Sequence, residues 1–195
     1  MIFFTSDLHL GHPNIIKDFS RRNFQTIEDH DNHIIDQLNK YVGPKDILWH
    51  LGDFAWPAKI GGYKNRIKCK QMFVIRGNHD KKNALEKNFK VVCDTKEIKL
   101  DGHKVFMSHY PHLYWPSSHY GSIHLYGHLH YYREDLIDKM MPDRRSMDVG
   151  IDAAFHKFGE YRPFTEKEVL ELLSKPGHHN VEYEREKDRE WEQKH

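Results

Sequence analysis

The chain has 195 residues, a length suited to one domain that buries its own core without disulfides or structural metals. Its 30 Lys and Arg against 29 Asp and Glu leave a formal charge of +1, which excludes a global attraction to nucleic acid or an acidic membrane surface. No apolar run approaches the roughly 20 residues of a membrane span, and two cysteines without C-x-x-C spacing, Cys69 and Cys93, favour a reduced, cytoplasmic setting.

From the N-terminus, Ile2 to Thr5 reads as a short buried strand that runs directly into Asp7, His9 and His12. Thr26-Ile-Glu-Asp29 has the form of a capping box, and Ile27, Ile34, Leu38 and Tyr41 follow at near-helical spacing, so a helix is expected from about Ile27 to Tyr41. Asp46 to His50 is a second strand leading to Gly52-Asp53, and Met72 to Ile75 is a third leading to Gly77-Asn-His-Asp80. Between them lies a loop and short helix around Lys64 to Lys70. Another helix is expected from Lys81 to Phe89. This alternation favours a parallel, doubly wound core.

The second half changes pattern. Glu97 to Leu100 and Lys104 to Met107 flank Asp101-Gly102, a hairpin signal because that pair tolerates the positive φ angles of a type I′ turn. Ser108-His109 ends the hairpin, and Ser122 to Tyr126 is a strand followed by Gly127-His-Leu-His130. Met147 to Ile151 reads as a later strand, and Thr165-Glu-Lys-Glu168 caps a final helix to about Leu173. A domain over 1–181 and a charged tail or exposed helix over 182–195 are expected. The insertion from Pro111 to Gly121 is either a surface loop or a cleft wall carrying Tyr114, Trp115 and His119 beside Tyr110.

Among the 17 His, several recur just after strands, in company with acids. Five segments present metal-ligating groups there: Asp7-x-His9, Gly52-Asp53, Gly77-Asn-His-Asp80, Ser108-His109 and Gly127-His128-x-His130. Residues two apart in extended chain share a side, so Asp7 and His9 can reach one ion together. Two dications about 3.5 to 4 Å apart repel by about 16 kcal/mol at an effective dielectric near 20, so they need a shared anion. Asp53, the sole acid of its segment, is the candidate bridge.

The segments DLHLGH, GDF, GNHD, SHYP and GHLH resemble the calcineurin-like metallophosphoesterase family, with a downstream DVGID that looks like a strand of its small members. The resemblance implies an α/β fold, an αββα sandwich of two mixed β-sheets flanked by helices. It implies that Asp7, His9, Asp53 and His130 bind a first metal and that Asp53, Asn78, His109 and His128 bind a second. It places His79 over the phosphate or leaving group with Asp80 orienting its other ring nitrogen, against a His79 that only ties down the turn; Asp80 is read as structural support before a direct catalytic group, and His12 as a phosphate contact or a structural residue beside Pro13. Arg21 and Arg22 are a phosphate clamp or a solvated basic pair, and Tyr110 is a substrate contact. His50 and His124 are assigned packed or polar-network roles.

Imidazole with carboxylate suits divalent transition metals, manganese first, with iron, zinc, nickel or cobalt as alternatives. The expected reaction is attack of a metal-activated hydroxide on a phosphodiester of a small nucleotide or similar metabolite. A phosphomonoesterase, a nuclease and a non-catalytic scaffold of the same fold are the alternatives. GDFAW lacks the second acid of family versions reading GDxxD, which affects how the neighbouring loop is placed.

Overall fold

The computed structural model describes residues 1–17 and 22–174, so the boundary expected at 181/182 lies outside the described residues. In chain order the elements are β1 Ile2–Thr5, α1 Ile27–Tyr41, β2 Ile47–His50, α2 Ile60–Arg66, β3 Gln71–Ile75, α3 Lys82–Glu86, β4 Val92–Cys93 and β5 Thr95–Leu100. There follow β6 His103–Ser108, β7 Ile123–Tyr126, α4 Glu134–Met140, β8 Ser146–Asp148, α5 Ile151–Phe158, β9 Phe164–Thr165 and α6 Glu166–Leu172.

Two mixed sheets result, flanked by helices. The first has the order β4-β3-β2-β1-β9, parallel except for β9. The second has the order β5-β6-β7-β8, with β5 antiparallel and the others parallel. The period of two decides which core each residue enters. Phe3, Leu48, Met72 and Val74 face one cluster with Ile34, Ile35 and Leu38 of α1, Ile60 of α2 and Leu85 of α3. Their neighbours Phe4, Trp49 and Ile75 face a second cluster between the sheets, where they meet Val105, Met107, Ile123, Leu125 and Met147. A single parallel core with helices on both faces, the simplest reading of the first half, is replaced by two sheets because the β5–β6 hairpin starts a new one.

Local chemistry sets most element ends. Thr26 accepts the amide of Asp29 at 3.1 Å, but the Asp29 carboxylate takes the Thr26 hydroxyl at 2.7 Å rather than its backbone N–H, so the reciprocal half of the box is not made. Thr165 and Glu168 form the complete box at the start of α6. At the hairpin turn Asp101 and Gly102 have φ of +44° and +83°, and the register pairs Leu100 with His103. The expected strand over Met147 to Ile151 is shorter: β8 ends at Asp148 and α5 begins at Ile151. Ile151, Ala154, Phe155 and Phe158 have helical spacing, and Gly159 closes the helix at φ +73°. No helix among the described residues is long and apolar enough to cross a membrane.

On the outer face of the second sheet, His124 is fully buried among Phe106, Trp115 and Tyr126. Its Nε2 accepts the His112 amide at 3.1 Å and its Nδ1 donates to the Phe106 carbonyl at 3.3 Å, which fixes the neutral ring. Burial pushes its pKa down to about 3. The unfolded chain takes up a proton below the ordinary 6.5 and the folded one does not. The contribution of His124 is therefore whole above pH 6.5 and is lost as pH falls toward 3, by a few kcal/mol. In His124→Gln, which cannot titrate, the loss of unfolding free energy between pH 6.5 and 4 should be shallower than in wild type by that amount; chemical unfolding across the range checks it.

Candidate metal centre

Because β1 to β3 run parallel and β6 to β8 run parallel, the segments that follow them leave each sheet from one edge. They are stitched together there: Asp7 N donates to Gly52 O at 2.9 Å, His9 N to Asp53 O at 3.0 Å, Gly127 N to His109 O at 3.0 Å, and Ile151 N to Ser6 O at 3.3 Å. Within these loops Asp7, His9, Asp53, His128 and His130 all hold the left-handed conformation, with φ between +49° and +71°. Each such residue costs about 1 to 2 kcal/mol relative to ordinary backbone, so the surrounding bonds must hold them. Gly77 and Gly127 allow the loops to close in, since a Cβ on Gly77 would collide with the carboxylate of Asp53, and one on Gly127 with the side chains of Ser6 and Asp7.

The side chains meet in two groups, Asp7 with His9 and His130, and Asp7 with Asp53 and His109. His9 Nε2 lies 3.8 Å from Asp7 Oδ1 and 3.6 Å from Asp53 Oδ2. His130 Nε2 is 3.8 Å from Asp7 Oδ1, and His109 Nε2 is 3.5 Å from Asp53 Oδ2. Asn78 Oδ1 sits 2.8 Å from His109 Nε2 and 3.0 Å from His128 Nδ1. Asp7 thus stands in both groups, while Asp53 Oδ2 lies between His9 and His109.

The residues fit divalent cations. Asp7 Oδ1 and His9 Nε2 are buried and have no hydrogen-bond partner. His109 Nδ1 donates to Leu51 O at 2.8 Å and His130 Nδ1 donates to Asp152 Oδ2 at 2.6 Å, so in the neutral rings that ligation requires both Nε2 atoms offer a lone pair on the side of the carboxylate oxygens. Lone pair facing lone pair is unfavourable until a cation lies between. Burial, reinforced by the charge of Asp7, pushes Asp53 up to about 7, and burial holds His9 well below its ordinary value. A cation at this position reverses the first shift and needs the second, because its ligands must be an ionised acid and a neutral imidazole.

His79 and His12 stand over this cluster. The His79 ring is 5.3 Å from that of His9 and 5.6 Å from that of His12. Tyr110 lies 4.6 Å from the ring of His128 and 5.1 Å from that of His109. Three expectations are corrected. Asp80 accepts the amides of Asp53 at 2.8 Å, Gly77 at 2.9 Å and Phe54 at 3.2 Å, so it braces two loops and is not hydrogen-bonded to the His79 ring among the described residues. Trp115 is buried, with Nε1 donating to Ser122 O, so its ring packs against the second sheet and is not the open wall that the insertion could have supplied. Arg22 is 1% exposed and cannot reach substrate as a clamp or lie solvated; Arg21 lies outside the described residues.

Arg22 instead pairs with Asp152, at 2.9 Å through Nε and 2.7 Å through Nη2, and donates to the carbonyls of Asp7 and Leu8. Its Nη1 also meets His30 Nε2 at 3.0 Å. A guanidinium only donates, so His30 accepts there and its Nδ1–H bonds Asp31 Oδ1 at 2.9 Å. Asp31 in turn receives Gly11 N and the Tyr63 hydroxyl. Burial pushes Asp152 up, but Arg22 and His130 outweigh it and hold the carboxyl at about 2. Asp148, pushed by burial and by Asp7 up to about 8, receives the amides of Tyr131 and Gly150. Sequence reasoning missed Asp152, Asp148, His30 and Asp31. The helical spacing after Gly150 was the available signal for Asp152, since it puts an acid in a first helical turn.

Residues 1–141 match the family model of the calcineurin-like phosphoesterase superfamily domain, and the chain belongs to that superfamily. An uncharacterized protein of Methanocaldococcus jannaschii is 29% identical over 177 residues, covering 89% of this chain and 92% of that protein. The gene 66 protein of Mycobacterium phage D29 is 28% identical over 184 residues, covering 78% of this chain and 88% of its own. The crystal structure of a protein of unknown function from Aquifex aeolicus aligns with a TM-score of 0.72 at 26% identity, over 89% of this chain and 99% of that one.

The burial of Arg22 has a measurable consequence. Arg22→Met strips the guanidinium from Asp152 and from two loop carbonyls, leaving the His130 ring to face the carboxylate, and should lower unfolding free energy by about 3 to 5 kcal/mol in metal-free protein. A change within about 0.5 kcal/mol, the size expected of a surface arginine, would contradict the placement; denaturant unfolding distinguishes them.

Proposed function

We propose that this member of the superfamily hydrolyses a phosphodiester bond in a small nucleotide or similar metabolite, using two divalent transition-metal ions with manganese preferred. The observation that carries the proposal is the pair of orphaned buried atoms, Asp7 Oδ1 and His9 Nε2, set among oxygen and imidazole lone pairs that divalent cations would satisfy. Asp7, His9, His130 and Asp53 are suited to hold one ion, and Asp53, Asn78, His109 and His128 the other, with Asp7 close to both positions. When bound, such ions supply Lewis-acid polarisation of the phosphoryl group and a lowered water pKa.

The chain's own residues supply the rest. His79, exposed at the mouth, is positioned to protonate the leaving oxygen, and His12 beside it to donate to a phosphoryl oxygen. Asp80 holds the loops of Asp53 and Gly77 together, so its effect on turnover passes through placement of the ligands. A small substrate suits a chain of formal charge +1, which has no overall attraction for a polyanion. We assign the protein to the cytoplasm from its two cysteines, which stand free, as is usual in a reducing compartment.

Purified protein should bind two transition-metal ions per chain, lose hydrolysis on chelation, and cleave a small diester with higher kcat/KM than the matching monoester or duplex DNA. Asp53→Asn should impair both metal positions and Asp7→Asn at least one, by metal analysis and titration. Full occupancy with unchanged turnover in Asp53→Asn would remove the bridging assignment, and preference for the monoester would remove the diester one.

His79→Ala should keep its metals yet lose about 10²- to 10⁴-fold in single-turnover rate on an alkoxide leaving group. The loss on an activated phenolate should be much smaller, because that group departs unprotonated. Equal losses on both would instead assign His79 to charge stabilisation of the phosphoryl oxygens.

A further inference from the structure

Two aromatic side chains stand at opposite ends of the contacts that run through the centre. Trp56 is 47% exposed, and its ring lies 5.3 Å from that of His12, which in turn is 5.8 Å from His9. Tyr110 is 48% exposed and lies against His128 and His109. Between these ends, Asp53 Oδ2 is within 3.6 Å of His9 Nε2 and 3.5 Å of His109 Nε2. Tyr114 and Tyr132 are more exposed, but among the described residues neither has a ring contact with a candidate ligand.

Both rings are carried on restrained backbone. Trp56 precedes Pro57 and Tyr110 precedes Pro111, so each is confined to extended conformations by the ring that follows. Trp56 N also donates to Leu10 O at 2.8 Å, beside the bridge that pairs Leu10 with Ala55, and the Tyr110 carbonyl accepts the Ser108 hydroxyl at 2.6 Å. Backbone already restrained in this way need not be ordered when a planar group stacks on the ring it carries.

A monoester has one organic substituent, whereas a diester has two that leave phosphorus in different directions. We propose that Trp56 and Tyr110 are the two platforms of one substrate cleft, and that the substrate is a phosphodiester bearing a planar aromatic group, such as a nucleobase, on each side of phosphorus. This inference rests on the phosphoesterase reading above.

Stacking of a base on an aromatic side chain spans about 5- to 150-fold in affinity. Calorimetric binding of a hydrolysis-resistant dinucleoside phosphorothioate to the metal-loaded protein should therefore weaken by a factor in that range in Trp56→Ala and in Tyr110→Ala. Trp56→Phe and Tyr110→Phe, which keep a ring, should recover most of it. Kinetically, wild type should prefer bis(4-nitrophenyl) phosphate to methyl 4-nitrophenyl phosphate. That preference should collapse in the one alanine variant whose platform receives the retained group, while the other variant loses on both substrates alike. Binding untouched by either substitution, or by one of them, would overturn the two-platform cleft, as would a preference that survives both variants. Wild-type protein that hydrolyses no phosphate ester with metals present would instead overturn the reading beneath it, and this inference with it.

Discussion

The arrangement of the centre depends on one buried ion pair. Asp7, Asp53, Asp148 and Asp152 are all less than a tenth exposed, and four carboxylates so placed are unfavourable unless something offsets them. Arg22 is the fixed cation among them. Its five donors reach Asp152, the carbonyls of Asp7 and Leu8, and His30, so the same side chain balances charge and sets the path of the loop that presents Asp7 and His9. Asp152 then orients His130 through Nδ1, and Asp31 ties the far end of the network to Gly11 and Tyr63. The pair joins the first loop, α1 and α5 into one electrostatic unit, and the candidate ligands hang from it.

The remaining acids are kept in place by backbone amides. Asp80 draws together the loops after β2 and β3, and Asp148 joins the loop after β7 to the start of α5. This division of labour accounts for the strained backbone. Five residues in left-handed conformation would relax if their loops were free, but each loop is tied to its neighbour by amides or carboxylates across the sheet edge. The glycines at 77 and 127 make that proximity sterically possible.

Features encoded within a few residues were legible in the sequence. The Asp101-Gly102 turn, the Thr165 box, the helix over Ile27–Tyr41 and the strands preceding each polar segment all rest on local propensity and period. The fold class followed from the polar motifs through family resemblance, while period alone suggested one sheet. Roles set by distant partners were not legible. Arg22 looked like one of two surface bases because its partner stands 130 positions away, and Asp80 looked like a partner of its neighbour His79 because the amides it receives come largely from another loop. Trp115 reads as part of either a surface loop or a cleft wall, because an aromatic in a polar insertion gives no sign of the sheet face beneath it.

The span of that ion pair also bears on how the chain acquires its centre. Asp7 and His9 belong to the first loop, yet His130 and its partner Asp152 come more than a hundred residues later, and β9 pairs with β1 later still. Contacts this distant in sequence carry a loop-closure entropy cost that local turns and helices do not, which slows folding. During synthesis the early acids and imidazoles are therefore made long before the groups that complete and neutralise them, and an ion captured by the partial set would meet neither the right geometry nor the right number of donors. The full set of candidate ligands and the groups that orient them therefore exists only once α5 has docked.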